Sequence, residues 1–213
     1  MAVPEPTTPA ARAYERTAGI AAILAGVGGI VYSIAFLGGI VLEWAPQLGA
    51  AVSASALMTG GLLGVTVLVA VYGRLKDTAP SVALLGFVLA AIGAGASTIH
   101  GGYMLANAIH PPLADVLADA AIPNPVDPRG LMTFGVSGLA LLVLMLQSRR
   151  SGTLPVGLAT LGAVVGIMLV IIYLGRLTIV VPTNPLVAVP AALTGLVLSP
   201  AFYILLGLEL RRR

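Results

Sequence analysis

The sequence predicts an all-α fold, namely a polytopic integral membrane protein built as a bundle of six transmembrane helices. Three observations lead to this prediction. The chain of 213 residues is 58% hydrophobic and 9% charged, whereas a soluble domain carries about 25% charged residues. Its mean hydropathy is +1.03. Six apolar runs are each long enough to cross a bilayer core, which takes about 20 helical residues.

Each of the six apolar runs is expected to be a helix, because backbone groups in lipid must form their hydrogen bonds internally. The runs lack the alternating polarity that is typical of a membrane β-barrel. The predicted spans are Ala18–Trp44, Ala50–Gly73, Ser81–Asn107, Gly130–Gln147, Leu154–Gly175 and Leu186–Leu208.

The segments outside the spans are short, with two exceptions. Residues 1–17 are rich in Pro and Thr, so we expect a flexible cytoplasmic N-terminal tail before the six-helix domain of residues 18–213. The longest connection is an extracytoplasmic loop, residues 108–129. It contains PLADVLADAAI, whose apolar residues recur at helical spacing. This pattern predicts a short amphipathic helix on the outer membrane surface.

Basic residues cluster on one side of the predicted bundle, with nine on that side and two on the other. By the positive-inside rule, both termini are expected in the cytoplasm and the chain in the cell (plasma) membrane. Because this rule explains the clusters, the net charge of +3 does not indicate binding to nucleic acid. The nine are Arg12, Arg16, Arg74, Lys76, Arg149, Arg150, Arg211, Arg212 and Arg213, and the two are Arg129 and Arg176.

Three stretches carry a family resemblance: ARAYERTAGIAAILAGVGGIVYSI, SRRSGTLPVGLATLGAV and LVAVPAALTGLVLSPAFYILLGLELRR. They resemble a family of bacterial six-helix integral membrane proteins that is catalogued only as a domain of unknown function. In that family a basic turn and a proline precede the fifth span, and the last span ends in a basic tail. The resemblance implies a six-helix bundle and supplies no reaction and no site residues.

Both histidines of the chain lie in STIHGGYMLANAIHPP, near the outer end of the third span. At about 100° per residue, four residues share one helix face: His100, Tyr103, Asn107 and His110. We call them the polar stripe, and they are the candidate ligand-binding residues. Hydration at the membrane surface explains the outer part of the stripe. His100 lies deeper, where an ionisable residue is a candidate for function. We favour a structural interpretation, in which a neutral His100 donates one hydrogen bond to a neighbouring helix.

The two histidines do not fit a shared metal ion. Ten residues of helix rise about 15 Å, whereas two axial nitrogens on one iron lie about 4 Å apart. We therefore predict no metal site and no cofactor. A haem or pigment ligated by His100 alone stays open as an alternative. The neighbouring Ala96, Gly101 and Gly102 leave space either for a flat ring or for a close helix neighbour.

Small residues recur every four positions in three of the predicted spans. This spacing lets helix backbones approach closely, so it predicts packing within the bundle, with other membrane subunits or by self-association. The positions are Gly93, Ser97 and Gly101, then Gly60 and Gly64, then Gly162 and Gly166. In the last span, Pro190 and Pro200 predict a bent helix.

The functional prediction is a non-enzyme. The middle of each predicted span has no Asp, Glu, Lys or Arg, which argues against a proton relay or an ion-coupled pump. The chain has no cysteine and no Gly-rich phosphate loop. The leading prediction is a structural or accessory subunit of a membrane complex. Two alternatives stay open: a small transporter or binder of an apolar or weakly polar ligand with an outward-facing site near His100, and a haem or pigment protein that uses His100.

Overall fold

The computed structural model describes residues 8–110, 130–179 and 184–212. All regular structure within these ranges is helical, and six helices are long and apolar enough to cross a membrane. The predicted fold class is confirmed: the chain is a multi-pass membrane protein with a six-helix bundle. Spans one to six are Pro9–Val41, Pro46–Leu75, Pro80–Ile109, Met132–Ser151, Val156–Thr178 and Pro185–Arg211.

Three of the described spans contain a π-helical segment. The segment ends span one, opens span four and interrupts span six near its middle, whereas spans two, three and five are continuous α-helices. The α-helices are Pro9–Ile34, Pro46–Leu75, Pro80–Ile109, Ser137–Ser151, Val156–Thr178, Pro185–Leu193 and Ser199–Arg211. The π-helical segments are Ala35–Val41, Leu131–Val136 and Thr194–Leu198.

Span one begins earlier than the hydropathy pattern predicts. Residues 9–17 are helical, although we expected them in a flexible tail. The Thr8 hydroxyl caps this helix by accepting a hydrogen bond from the backbone N–H of Ala11 at 3.2 Å, and Pro9 occupies the first helical position, where its missing N–H costs nothing. A polar first turn does not prevent a helix from extending beyond the apolar core of a membrane.

The C-terminal ends of spans one and three also differ from the predicted bounds. Span one ends at Val41, before the predicted Trp44, and the backbone of Glu43 then turns with a φ of 58°. Span three continues to Ile109, so residues 108 and 109 belong to a helix rather than to the predicted loop. The amphipathic helix predicted in PLADVLADAAI lies outside the described residues.

The spans form a ring in chain order, in which each span packs on the next and span six packs on span one. The core contains side chains from all six spans, among them Ala18, Leu75, Ala83, Leu144, Leu158 and Phe202. Successive spans run in opposite directions. Arg12, Arg74, Arg149 and Arg211 therefore lie at one end, which we call the basic end, and Trp44 and His110 lie at the opposite end.

The α-helix of span six is interrupted between the two prolines for which a bend was predicted. Pro190 has no N–H to donate to the helix and Pro200 is the second residue of the following α-helix, and the π-helical segment Thr194–Leu198 separates the two. The first half of span six packs on span five, whereas the second half packs mainly on span one. The two halves of span six thus contact different neighbours in the ring.

Candidate functional site

The deepest residue of the polar stripe contacts a neighbouring span. His100 is half-buried, and its Nδ1 lies 3.5 Å from the hydroxyl of Thr133 in the π-helical segment of span four. Thr133 is 5% exposed. At 3.5 Å this is a long hydrogen bond. The contact is of the kind that a structural histidine makes with a neighbouring helix.

The other stripe residues lie progressively nearer the end of span three. Tyr103 is 48% exposed, Asn107 is half-buried and His110 is exposed at the helix C-terminus. The helix carries the four residues along its outer half. Neither of the two grooves described below is lined by a stripe residue.

The space beside His100 that a flat ring would need is partly filled by span two. A Cβ built on Gly101 would clash with the backbone N of Met58 and would stand 2.7 Å from the carbonyl oxygen of Ala54. A planar cofactor ligated by His100 would have to lie against another face of span three. Within the described residues, no three His, Asp or Glu side chains are grouped so that they could hold a metal ion.

Four of the predicted packing positions lie at close contacts between spans. Gly93 faces Ser137 of span four, Gly101 faces span two, Gly162 faces Met145 and Phe202, and Gly166 faces the carbonyl oxygen of Gly138. Ser97 is half-buried, and its hydroxyl donates to the carbonyl of Gly93 at 3.0 Å.

Gly60 and Gly64 are half-buried and do not lie at close backbone contacts. A Cβ built on Gly60 would meet no heavy atom within 4 Å, and one on Gly64 would meet only the Cβ of Ala94 at 3.9 Å. The tight contact with span three is made by Gly61, whose added Cβ would stand 2.6 Å from the carbonyl oxygen of Ala94. A four-residue spacing shows that small residues share one face of a helix. A shift of one residue, as from Gly60 to Gly61, turns that face by about 100°. The spacing alone therefore does not show which face packs against a neighbouring span.

A buried ion cluster joins spans one, two and six at the basic end. Arg74 donates to both carboxylate oxygens of Glu15, from Nε at 2.8 Å and from Nη2 at 2.9 Å. The third guanidinium nitrogen, Nη1, lies 4.0 Å from Oε1 of Glu209. The side chains of Arg74 and Glu15 are 8% and 10% exposed. Arg212 lies 3.8 Å from the second oxygen of Glu209 and is itself exposed.

Sequence reasoning did not find this ion cluster. It counted Arg74 among the basic residues that set the topology and gave no weight to Glu15 or Glu209. A signal was present, because each of the two glutamates lies within a few residues of arginines at the same end of the bundle. Isolated carboxylates among arginines at that depth predict ion pairs, although the pairing itself depends on which spans are neighbours.

A lateral groove separates spans one and two in the middle of the membrane-spanning region. Its volume is about 490 Å³. Its lining is mostly small or aliphatic, and one side is open to the bundle exterior. The lining residues are Leu24, Val27, Gly28, Val31, Ala51, Val52, Ser55, Ala56 and Thr59. We call it the span one–two groove.

A smaller groove lies between spans three and four. Its volume is about 210 Å³, and it is lined by Ala91, Ile92, Gly95, Ala96, Ile99 and Met132. Like Gly28 in the larger groove, Gly95 has open space where a Cβ would stand. Both grooves are shallow and apolar, and neither contains a charged side chain.

The fold and these sites define a class: a six-helix, multi-pass membrane protein with a buried ion cluster at one end and apolar grooves on its lateral surface. Comparison of the chain with protein-family models, with curated proteins and with solved structures found no match. The resemblance to a bacterial six-helix family therefore stays a prediction.

Proposed function

We propose that the chain is a non-catalytic subunit of a membrane complex that receives a transmembrane helix of a partner protein in the span one–two groove. The observation that carries the proposal is the groove itself, a shallow apolar depression of about 490 Å³ lined largely by small and aliphatic residues. Membrane helices associate through van der Waals contact, and small residues allow the closest approach.

The groove is preformed, because spans one and two are fixed to each other on both sides of it. At the basic end, Arg74 holds Glu15 in a two-pronged ion pair. At the opposite end, the backbones touch, since a Cβ on Gly39 would stand 2.7 Å from the Cα of Gly49. The spans separate between these two points. A preformed site costs little ordering entropy when a partner binds.

The hydroxyl groups in the groove do not call for a polar ligand. Ser55 donates to the carbonyl of Ala51 at 2.8 Å, and Thr59 donates to the carbonyl of Ser55 at 2.8 Å. Both donors are satisfied within their own helix. The groove therefore presents an apolar surface, which suits a helix face of aliphatic side chains.

Gly28 leaves room for a helix as the occupant. A Cβ built on Gly28 would meet no heavy atom within 4 Å, so the backbone of a second helix can approach span one closely at this position.

We further propose that the protein lies in the plasma membrane with both termini in the cytoplasm. The support is the distribution of charge: among the described residues, eight basic residues lie at the basic end and Arg176 lies at the other.

The test is native mass spectrometry of the full chain released gently from its own membrane, with Gly28→Leu and Gly73→Leu as variants. Both substitutions add the same side chain where a Cβ would meet no heavy atom within 4 Å, so neither should disturb the fold. Only Gly28→Leu fills the groove. We expect the wild type and Gly73→Leu to retain a stoichiometric protein partner and Gly28→Leu to lose it.

If both variants retain the protein partner equally, the partner does not bind in the groove. If the wild-type chain retains only lipid, and Gly28→Leu loses that lipid, the occupant of the groove is an acyl chain and not a partner helix.

A second candidate function rests on the contact between His100 and Thr133. Thr133 belongs to a π-helical segment, and such segments often occur at functional sites. A small transporter or binder with a site at this end would bind its ligand in a His100-dependent way. Loss of ligand binding in His100→Ala, with retention in Gly28→Leu, would favour this candidate over the subunit function.

A further inference from the structure

The ion cluster changes the balance of exposed charge at the basic end. The carboxylates of Glu15 and Glu209 point inward towards Arg74, and both residues are buried. Among the described residues at this end, Asp77 is the one exposed carboxylate. The exposed cations are Arg12, Arg16, Lys76, Arg149, Arg150, Arg211 and Arg212. The surface at this end is thus strongly cationic, more so than the sequence count suggests.

Four of these cations lie at the ends of spans one and six, which pack against each other. Arg12 and Arg16 are four residues apart, so they lie on one helix face. The aliphatic stem of Arg211 lies against span one, since a Cβ on Gly19 would stand 2.5 Å from its Cγ. Gly19 follows Arg16 by three residues, about one turn. Arg212 extends from the next position and is 75% exposed. We call Arg12, Arg16, Arg211 and Arg212 the arginine patch.

Glycine at two positions makes this gathering of arginines possible. A Cβ on Gly207 would clash with the carbonyl oxygen of Gly19, and one on Gly19 would stand 2.7 Å from the carbonyl oxygen of Gly207. The two helix ends therefore approach at backbone distance. This approach places the four arginines at one junction of two spans. Arg212 lies 3.8 Å from an oxygen of Glu209, so external counterions would serve mainly the charges of Arg12, Arg16 and Arg211.

The surroundings of the patch select the type of counterion. The patch lies at the ends of two membrane spans, which is the depth of the lipid headgroups. Arginine binds phosphate with two parallel hydrogen bonds and is less strongly hydrated than lysine. We propose that the arginine patch binds the phosphate groups of anionic phospholipids in the leaflet at the basic end.

The experiment measures lipid binding to the purified full-length chain in detergent by native mass spectrometry. The probes are phosphatidylglycerol and phosphatidylcholine with identical acyl chains. The patch variant is Arg12→Gln, Arg16→Gln and Arg211→Gln combined. The control variant is Lys76→Gln, Arg149→Gln and Arg150→Gln combined, which removes three exposed charges from the same end outside the patch.

We expect the patch variant to lose phosphatidylglycerol affinity by roughly 100-fold, at about fivefold for each of the three arginines that would contact the bound headgroup. The control variant should stay within about threefold of the wild type, and phosphatidylcholine binding should be unchanged in both. The wild-type affinity for phosphatidylglycerol should fall as sodium chloride is raised.

An equal loss of phosphatidylglycerol affinity in the two triple variants would show a diffuse charge effect and overturn the proposal. An unchanged affinity in the patch variant would also overturn it. Competition by inorganic phosphate at millimolar concentration would make a soluble anion the ligand and overturn the lipid assignment. If the triple variant does not fold, Arg16→Gln and Arg149→Gln as single variants give the same comparison. The assay uses the isolated chain, so its result does not depend on the proposed partner helix.

Discussion

The two ends of the bundle are held together in different ways. At the basic end, spans one and six approach at Gly19 and Gly207, and Arg74 in addition joins spans one, two and six through charge, with Glu15 at 2.8 Å and Glu209 at 4.0 Å. At the opposite end, the described spans meet through backbone contact at Gly39 and Gly49 and through the 3.5 Å contact between His100 and Thr133. A buried charge needs its partner, whereas a glycine contact needs only the absence of a side chain. The two ends should therefore respond differently to substitution.

The largest effect is expected from Arg74→Leu. This change leaves the carboxylate of Glu15 buried without the guanidinium that binds both of its oxygens, and it removes one of the cations beside Glu209. Removing one partner of a buried ion pair costs about 3–5 kcal/mol. Thermal and denaturant unfolding of the purified chain in detergent would measure the loss.

Two controls accompany this prediction. Arg149→Leu removes an exposed arginine at the same end and should change the free energy of unfolding by less than about 0.5 kcal/mol. The double variant Glu15→Leu/Arg74→Leu should recover part of the loss, because it removes both charges of the closest pair. If Arg74→Leu unfolds like Arg149→Leu, charge does not hold the basic end.

A smaller loss is expected from Gly39→Ala at the opposite end. The new Cβ would stand 2.7 Å from the Cα of Gly49, so one of the two backbones must move. Overpacking of this kind costs about 1–3 kcal/mol. The same unfolding measurement applies.

Gly60→Ala is the matched control, because a Cβ there meets open space. It should leave stability unchanged or raise it by up to about 1 kcal/mol. If Gly39→Ala and Gly60→Ala behave alike, the backbone contact does not fix the opposite end.

The smallest effect is expected from Thr133→Val. Valine keeps the shape of threonine and removes the hydroxyl that lies 3.5 Å from Nδ1 of His100. A hydrogen bond of ordinary length contributes about 1 kcal/mol, so this long one should contribute less. The nitrogen-15 shift of the His100 ring should change while unfolding stays nearly the same. A loss comparable to that of Arg74→Leu would show that polar contact also holds the opposite end.

Sequence reasoning predicted the coarse architecture because span length and hydropathy are local properties. All six spans are present, and their bounds differ from the predicted ones by a few residues at the helix ends, most of all at the start of span one, Pro9. The π-helical segments were not predicted, although Pro190 pointed to a break in span six. A π-turn depends on how neighbouring spans pack, which hydropathy does not record.

The sites were less predictable than the spans. The stripe spacing placed His100 and Tyr103 on one helix face. It could not predict that His100 contacts Thr133, which lies 33 residues further along the chain. Glu15, Arg74 and Glu209 meet only because spans one, two and six are neighbours in the ring. The groove was invisible to sequence analysis for the same reason, since it is a gap between two spans rather than a pattern within one.

Site-specific photo-crosslinking in the native membrane tests the occupant of the span one–two groove most directly. A photoreactive residue at Ala56 lies in the groove, and one at Leu62 lies on the same helix at an exposed position outside it. We expect Ala56 to crosslink to a polypeptide of one discrete mass, Leu62 to crosslink to lipid, and the Ala56 product to disappear with Gly28→Leu but not with Gly73→Leu. Lipid crosslinks alone at both positions would contradict the proposal that the groove holds a partner helix.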